Sequence, residues 1–233
     1  MNFEALDGAR AVMPSLIIFD WDGTLMDSAG EIVGAMQLAI QRAGLPERSP
    51  EQLRSLIGLG IHDVLARLFP DRDPARVHKQ LAAQRADRDD AATRAQFFPG
   101  VLATLDRLIA GGYELAVATG KSRRGLDQVL TATDCRGYFS QTRCADESAA
   151  KPAPAMVEDL LLRTATEPQD ALVIGDTEYD VAMARAADVS VLGVTCGVHD
   201  ATRLRAAGAT DLITDVTALP GWLAGQAAVT TAG

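Results

Sequence analysis

The sequence predicts an α/β fold, a doubly wound parallel sheet carrying an all-helical insertion. Three observations predict it. Short apolar runs alternate with segments of helical spacing, the pattern of strands joined by crossover helices. A stretch from about residue 28 to 97 breaks that alternation, with several helical patterns and no convincing strand run. Finally, the apolar runs end on carboxylate, hydroxyl and lysine side chains, as strands do where a parallel sheet presents its carboxyl edge to a ligand.

Taken in order, the first run is Leu16–Phe19, which closes on Asp20 and Asp22 and is broken by Gly23. Helical patterns follow at Glu31–Ala43, closed by Gly44, then at Pro50–Ile57, Ile61–Phe69 and Pro74–Ala95. Within the last, the charge run QRADRDDAATR (84–94) reads as a solvated outer face. Residues 1–27 and 98–233 are thus predicted to form the core domain, and 28–97 a helical cap domain. The core resumes with a helix at Val101–Ala110, where Leu102, Leu105 and Ile109 stand at i, i+3, i+7 and Gly111-Gly112 stops it. Glu114–Ala118 is the next strand and runs into Thr119-Gly120-Lys121. A helix follows Lys151, with Pro152 and Pro154 in its first turn and Met156, Val157, Leu160 and Leu161 on one face. Ala171–Ile174 continues as VIGDTEYD, and Ser190–Val194 is the last strand run. These strands read as buried on both faces, and the small-residue tail Ala224–Gly233 as frayed.

Composition narrows the function classes. The chain has 233 residues, 48% of them hydrophobic, enough for one large domain or a core with an insertion. A net charge of −9 and a pI near 4.8 argue against nucleic-acid polymers and anionic membranes, which demand clustered Lys and Arg. Cys135, Cys144 and Cys196 form neither a CxxC pair nor an even-numbered framework, which points to a reducing cytoplasm. The N-terminal segment carries acids and no signal-like apolar stretch, and no run reaches the roughly 18 apolar residues of a spanning helix. A soluble protein acting on a small molecule is the expectation.

One sheet edge would gather Asp20, Asp22, Asp176, Asp180, the Thr119 hydroxyl and the Lys151 ammonium. Singly, each has a plain explanation: an Asp behind a strand is usually a turn former or cap, and a Lys before Pro is usually solvated. Capping does not need two carboxylates spaced i, i+2 with a third at another strand end. Such carboxylates repel and stay ionised only with a cation between them, for which Mg²⁺ is suited: a hard ion held by carboxylates, waters and phosphate oxygens. Phosphoryl chemistry needs positive charge and N–H groups around the transferred group, which Lys151, Thr119 and loop amides would supply. The GKS of Gly120–Ser122 ends like a P-loop, but the glycine required five positions earlier is Leu115, so Lys121 and Ser122 read as the start of the next helix. His62, His78 and His199 lack metal-ligand spacing and read as structural or surface residues, with His62 able to face the cleft.

The set DWDGT (20–24), VATGK (117–121), KPAP (151–154) and GDTEYD (175–180), in that order, resembles the four motifs of the haloacid dehalogenase superfamily of phosphatases. The resemblance extends from about Ser15 to Leu223, and the insertion resembles the family's α-helical cap. DGTLMDS, FFPGVLATLDRL, RCADESAAKPAP and VLGVTCGV are similar to the phosphoglycolate phosphatase-like subgroup. The resemblance implies Asp20 as the nucleophile forming an aspartyl-phosphate and Asp22 as acid and then base. It further implies Mg²⁺ on Asp20, the Asp22 main-chain carbonyl and Asp176, with Asp180 supporting, and phosphate on Thr119, Gly120 and Lys151. Dehalogenases of the superfamily carry Tyr, and phosphonoacetaldehyde hydrolases Ala, where this chain has Asp22, which favours phosphate esters. Phosphosugar mutases carry a cap histidine where this chain has Ile32, which disfavours but does not exclude one. Trp21 departs from the commoner Leu or Met and is expected to pack beneath the loop.

The expected substrate is a small phosphorylated metabolite, phosphoglycolate first, with sugar-phosphate or nucleotide phosphatases as alternatives and a non-catalytic phosphate- or partner-binding protein as an alternative of another class. Gly58-Leu59-Gly60 is either a substrate-facing cap loop or a plain helix–helix turn. Monomer and homodimer both stay open.

Overall fold

A computed structural model describes residues 13–83 and 96–231. Six parallel strands form the central sheet: β1 (Leu16–Phe19), β4 (Glu114–Thr119), β5 (Gln141–Cys144), β6 (Ala171–Gly175), β7 (Ser190–Val194) and β8 (Asp211–Ile213), in the spatial order β5-β4-β1-β6-β7-β8. The chain starts at β1, builds outward through β4 to β5, then returns to β1's other side for β6, β7 and β8. β1 is therefore the switch point, where a crevice opens above the strand ends. Phe19 lies opposite both Val117 and Ile174, and β4 runs on to Thr119 and β6 to Gly175, so the ends of these three strands lie within two residues of one another in register.

Alternating side chains of the sheet serve two separate cores. Ile17, Phe19, Leu115 and Val117 pack on one face with α5 (Val101–Ala110), α6 (Arg123–Ala132) and α10 (Leu219–Thr231). Leu16, Ile18, Ala116 and Val173 pack on the other with α7 (Ala155–Thr164), α8 (Glu178–Ala186) and α9 (Ala201–Ala207). Burial on both faces is why these strands carry unbroken apolar runs.

A two-stranded antiparallel ribbon, β2 (Met26–Asp27) with β3 (Gln96–Phe97), carries the chain out of the core and back. Between them stand α1 (Ala29–Arg42), α2 (Pro50–Arg54), α3 (Ile61–Leu68) and α4 (Pro74–Ala83), which share a third apolar cluster centred on Leu53, Leu65 and Phe69. Tyr179 of α8 enters that cluster and ties the helical layer to the core. Trp21 is fully buried, edge-on to Phe97 and Phe139 at 5.9 Å each, and its Nε1–H points at Met26 Sδ, 3.0 Å away. It anchors the strand end from below, as its bulk suggested.

Several expectations are corrected. β5 (QTRC) and β8 (DLI) were not foreseen, and β3 places a short strand inside the stretch read as purely helical. α2 ends at Arg54 rather than Ile57, because residues 55–58 form turns. Of the stripe read on α5 only Leu105 is buried; the helix turns Val101, Thr104 and Leu108 inward and leaves Leu102 and Ile109 exposed. Pro154 is the N-cap of α7, and Pro152 lies in the turn before it, so Lys151 stands ahead of the helix. The tail from Ala224 continues α10 as far as Thr231, anchored by Leu219 and Leu223 in the core. The charge run 84–94 and the end of the long helix read as far as Ala95 lie outside the described residues.

Candidate active site

The site begins where β1 stops. Asp20 still donates its N–H to the Ile174 carbonyl, so its side chain leaves the sheet at a fixed angle. The chain then folds back, with Leu25 and Met26 N–H groups on the Trp21 carbonyl and Gly23 N–H on the Met26 carbonyl. Gly23 makes that turn at φ +86°, and a Cβ there would lie 2.2 Å from Asp176 Oδ2. Only glycine satisfies both demands. Asp22 is thereby returned to the cleft, where its Oδ1 accepts from Ser28 Oγ at 2.6 Å and pairs with Lys121 Nζ at 2.9 Å.

The other strand ends supply the rest. Thr119 closes β4, buried, with its Oγ1 accepting the Lys121 N–H at 3.1 Å. Lys151 is fully buried, its Nζ donating to Asp20 Oδ1 at 2.5 Å and Asp180 Oδ1 at 2.6 Å. Asp180 belongs to the capping box of α8: its Oδ2 accepts from the Thr177 N–H and hydroxyl, and its N–H donates back to Thr177 Oγ1. Thr177, not Asp176, is the cap residue. This leaves Asp176 to face the cleft, with Oδ1 accepting from Thr24 Oγ1 and Oδ2 from the Val198 N–H, both at 2.8 Å.

The insertion's loop Gly58-Leu59-Gly60 lies on this edge. A Cβ on Gly120 would stand 2.6 Å from the Gly58 carbonyl oxygen, and one on Gly60 would stand 2.8 Å from the Ala150 Cβ. The loop is thus seated on the chain segments next to Thr119 and Lys151. All sequence-predicted site residues converge here.

Residues read otherwise also converge. Lys121 belongs to the site and not to the next helix, which begins at Arg123 with Ser122 as its N-cap. Thr24 and Ser28 hold the carboxylates, and their place inside DGTLMDS was the available signal. His199 is buried and structural: Nδ1 accepts the Glu178 N–H at 3.0 Å, and Nε2 lies 3.2 Å from the Ser55 carbonyl of the helical layer. His62 is exposed on α3, edge-on to His78.

The electrostatics are unbalanced. Burial pushes Asp20 well above the usual carboxylate range, and Lys151 offsets only part of that. Burial and the neighbouring Asp180 raise Asp176 from 3.8 to about 7. Lys151 is held above its ordinary value; burial works against the ammonium, and Asp180 and Asp20 outweigh it. One ammonium thus serves three buried carboxylates. Oxygens of Asp20, Asp176 and Asp180 lie within 4.8 Å of one another, and Asp20 Oδ2 is buried without a hydrogen-bond partner. An all-oxygen, negatively charged set with an orphaned carboxylate oxygen fits a hard divalent cation. Asp180 spends both oxygens on Lys151 and Thr177, so Asp20 and Asp176 are the better ligands.

A pH dependence follows. With Asp176 titrating near 7 when folded and near 3.8 otherwise, the folded protein binds more protons between those values, and stability falls as pH rises through that window. Thermal melts with chelator are expected to give a lower Tm at pH 8 than at pH 5, and added Mg²⁺ to raise Tm more at pH 8.

Residues 17–194 match the family described as haloacid dehalogenase-like hydrolase. The chain belongs to this family. It is 32% identical over 200 residues to "Probable phosphatase IndB" of Dickeya dadantii, covering 84% of this chain and 87% of that one. It is 30% identical over 200 residues to a phosphoglycolate phosphatase of Agrobacterium fabrum, covering 82% and 84%. Among solved structures, a hydrolase from Pseudomonas syringae superposes with TM-score 0.80 at 23% identity over 91% of this chain and 98% of that one. A haloacid dehalogenase-like family protein from Streptococcus pneumoniae gives 0.78 at 20% identity over 90% and 98%. These two carry the fold alone. No helix among the described residues is long and apolar enough to cross a membrane.

Proposed function

We propose that this haloacid dehalogenase-like hydrolase is a Mg²⁺-dependent phosphatase that cleaves a small, phosphoglycolate-like phosphate monoester through an aspartyl-phosphate on Asp20. The observation that carries it is the state of Asp20: buried at the switch point, one oxygen on Lys151 at 2.5 Å, the other unpartnered. Most buried carboxylate oxygens find a partner, so the free one on this Lys151-paired group at the strand ends is available to phosphorus or to a cation.

An Asp20 carboxylate oxygen forms the new bond to phosphorus as the ester P–O bond breaks, and the Asp22 carboxyl gives its proton to the departing alkoxide. Water then attacks the phosphorus of the acyl phosphate, Asp22 takes up the water's proton, and the bond to Asp20 breaks to release phosphate. Ser28 and Lys121 fix the Asp22 carboxylate for both proton transfers. Thr119, the Gly120 N–H and Lys151 hold the phosphoryl oxygens, and Asp180 keeps Lys151 aimed. Mg²⁺ on Asp20, Asp176 and the Asp22 carbonyl would supply charge neutralisation at the phosphoryl oxygens. Helices α1–α4 act as the cap, with Gly58-Leu59-Gly60 shielding the site from water. The cysteines are free thiols, in keeping with a cytoplasmic enzyme acting on a phosphorylated metabolite.

Phosphate release from 4-nitrophenyl phosphate is expected with Mg²⁺ and is expected to stop on chelation. Absence of metal-dependent turnover would sink the reading in favour of a non-catalytic phosphate-binding protein.

A further inference from the structure

Lys121 is a second cation at the cleft. It differs from Lys151 in exposure and in commitment. Lys151 is wholly buried and shared between two carboxylates. Lys121 is 15% exposed, and Asp22 Oδ1, at 2.9 Å, is the one ion-pair partner of its ammonium among the described residues. An ammonium has three N–H donors, so Lys121 keeps capacity for another anion.

On the reading proposed above, the alcohol part of the substrate leaves from Asp22, and so beside Lys121. The Gly58-Leu59-Gly60 loop, which offers no charge, lies against Gly120, the residue before Lys121. Among the described cap arginines, Arg48 is engaged on the Leu68 carbonyl, Arg54 on the Gly197 carbonyl, and Arg67 on the Tyr179 hydroxyl and ring. An anionic group leaving from Asp22 would meet Lys121, the ion-pair partner of that carboxylate.

Distance admits a short group. The ester oxygen and Lys121 Nζ both contact the Asp22 carboxylate, which puts them roughly 4–6 Å apart. With an ammonium–carboxylate contact of about 2.8 Å, the carboxylate oxygen then lies no nearer the ester oxygen than roughly 1–3 Å. A carboxylate borne on the carbon next to the ester oxygen satisfies that limit and reaches Lys121 without a longer linker.

We infer that Lys121 is a specificity-determining residue, which receives a carboxylate carried by the leaving alcohol and so selects 2-phosphoglycolate-like esters over neutral ones of equal size. This rests on the phosphatase reading and extends it to the leaving group.

The test compares kcat/KM on 2-phosphoglycolate with that on 2-hydroxyethyl phosphate, in which a hydroxymethyl group replaces the carboxylate. The unmodified enzyme is expected to prefer 2-phosphoglycolate. Lys121→Met is expected to shrink that ratio by about 30-fold, chiefly through KM, as loss of one charge-assisted contact implies. Lys121→Arg is expected to keep most of the preference. If Lys121→Met does not fold, Lys121→Gln serves for the same ratio. Equal losses on both esters would overturn the inference and leave Lys121 only a holder of Asp22; so would an unmodified enzyme without preference. Failure of the phosphatase reading is separately visible, since 4-nitrophenyl phosphate would then give no Mg²⁺-dependent turnover with any variant.

Discussion

An Asp20→Asn variant is expected to lose turnover by about four orders of magnitude or more, the scale on which loss of a covalent nucleophile acts. The amide presents no anionic oxygen to phosphorus, so the first bond cannot form at a useful rate. The fold should survive. Asp20 is buried and its carboxyl is pushed toward the neutral form, so a neutral isostere gives up little, and Lys151 keeps Asp180 as its counter-ion. Phosphate release under multiple turnover, read beside a thermal melt, checks both halves. Retained turnover in a well-folded variant would remove Asp20 from the chemistry.

Lys151→Met is expected to act on stability as well as rate. Loss of a donor aimed at the phosphoryl oxygens should lower kcat by roughly 10²–10³-fold, by analogy with oxyanion-hole donors. The same change leaves Asp20, Asp176 and Asp180 buried together without their ammonium. Breaking a buried pair from one side costs about 3–5 kcal/mol, so the variant should melt well below the parent and recover part of the difference when Mg²⁺ is added. The two variants separate the partners of one 2.5 Å contact: removing the negative charge spares the fold, and removing the positive charge does not. Equal melting temperatures in the two variants would contradict that account.

The chain's order of strands and its four motifs were readable because their signals are local. β1, β4, β6 and β7 are interior strands covered on both faces, so each needs a run of apolar residues that stands out from its neighbours. The edge strands are different. β5 reads QTRC and is mostly half-buried, and β8 has three residues, so neither has to be apolar on both sides and neither shows in the pattern. The buried face of α5 is hidden in the sequence for a related reason. Leu102 and Ile109 fit a helical period as well as Val101 and Leu108 do, and contact with α10 and the sheet chooses between them.

The candidate site divides in the same way. Asp20, Asp22, Thr119, Lys151 and Asp176 could be picked out because each follows a strand or lies within a dense motif, and paired carboxylates demand a counter-charge wherever they occur. Lys121 could not, since its neighbours Gly120 and Ser122 make it look like a helix start; its ion pair with Asp22 exists because β4 and β1 end side by side. Asp180 is legible within GDTEYD as an acidic group of that edge, whereas its double use, one oxygen in the cap of α8 and the other on Lys151 across the fold, is not. Residue types and spacing set the elements and the reacting groups, because burial and charge repulsion act within short stretches. Which carboxylate keeps a free oxygen, which lysine is spent and which stays available, and where the Gly58–Gly60 loop rests depend on contacts between segments far apart in the chain, and those come into being only when the sheet assembles around β1.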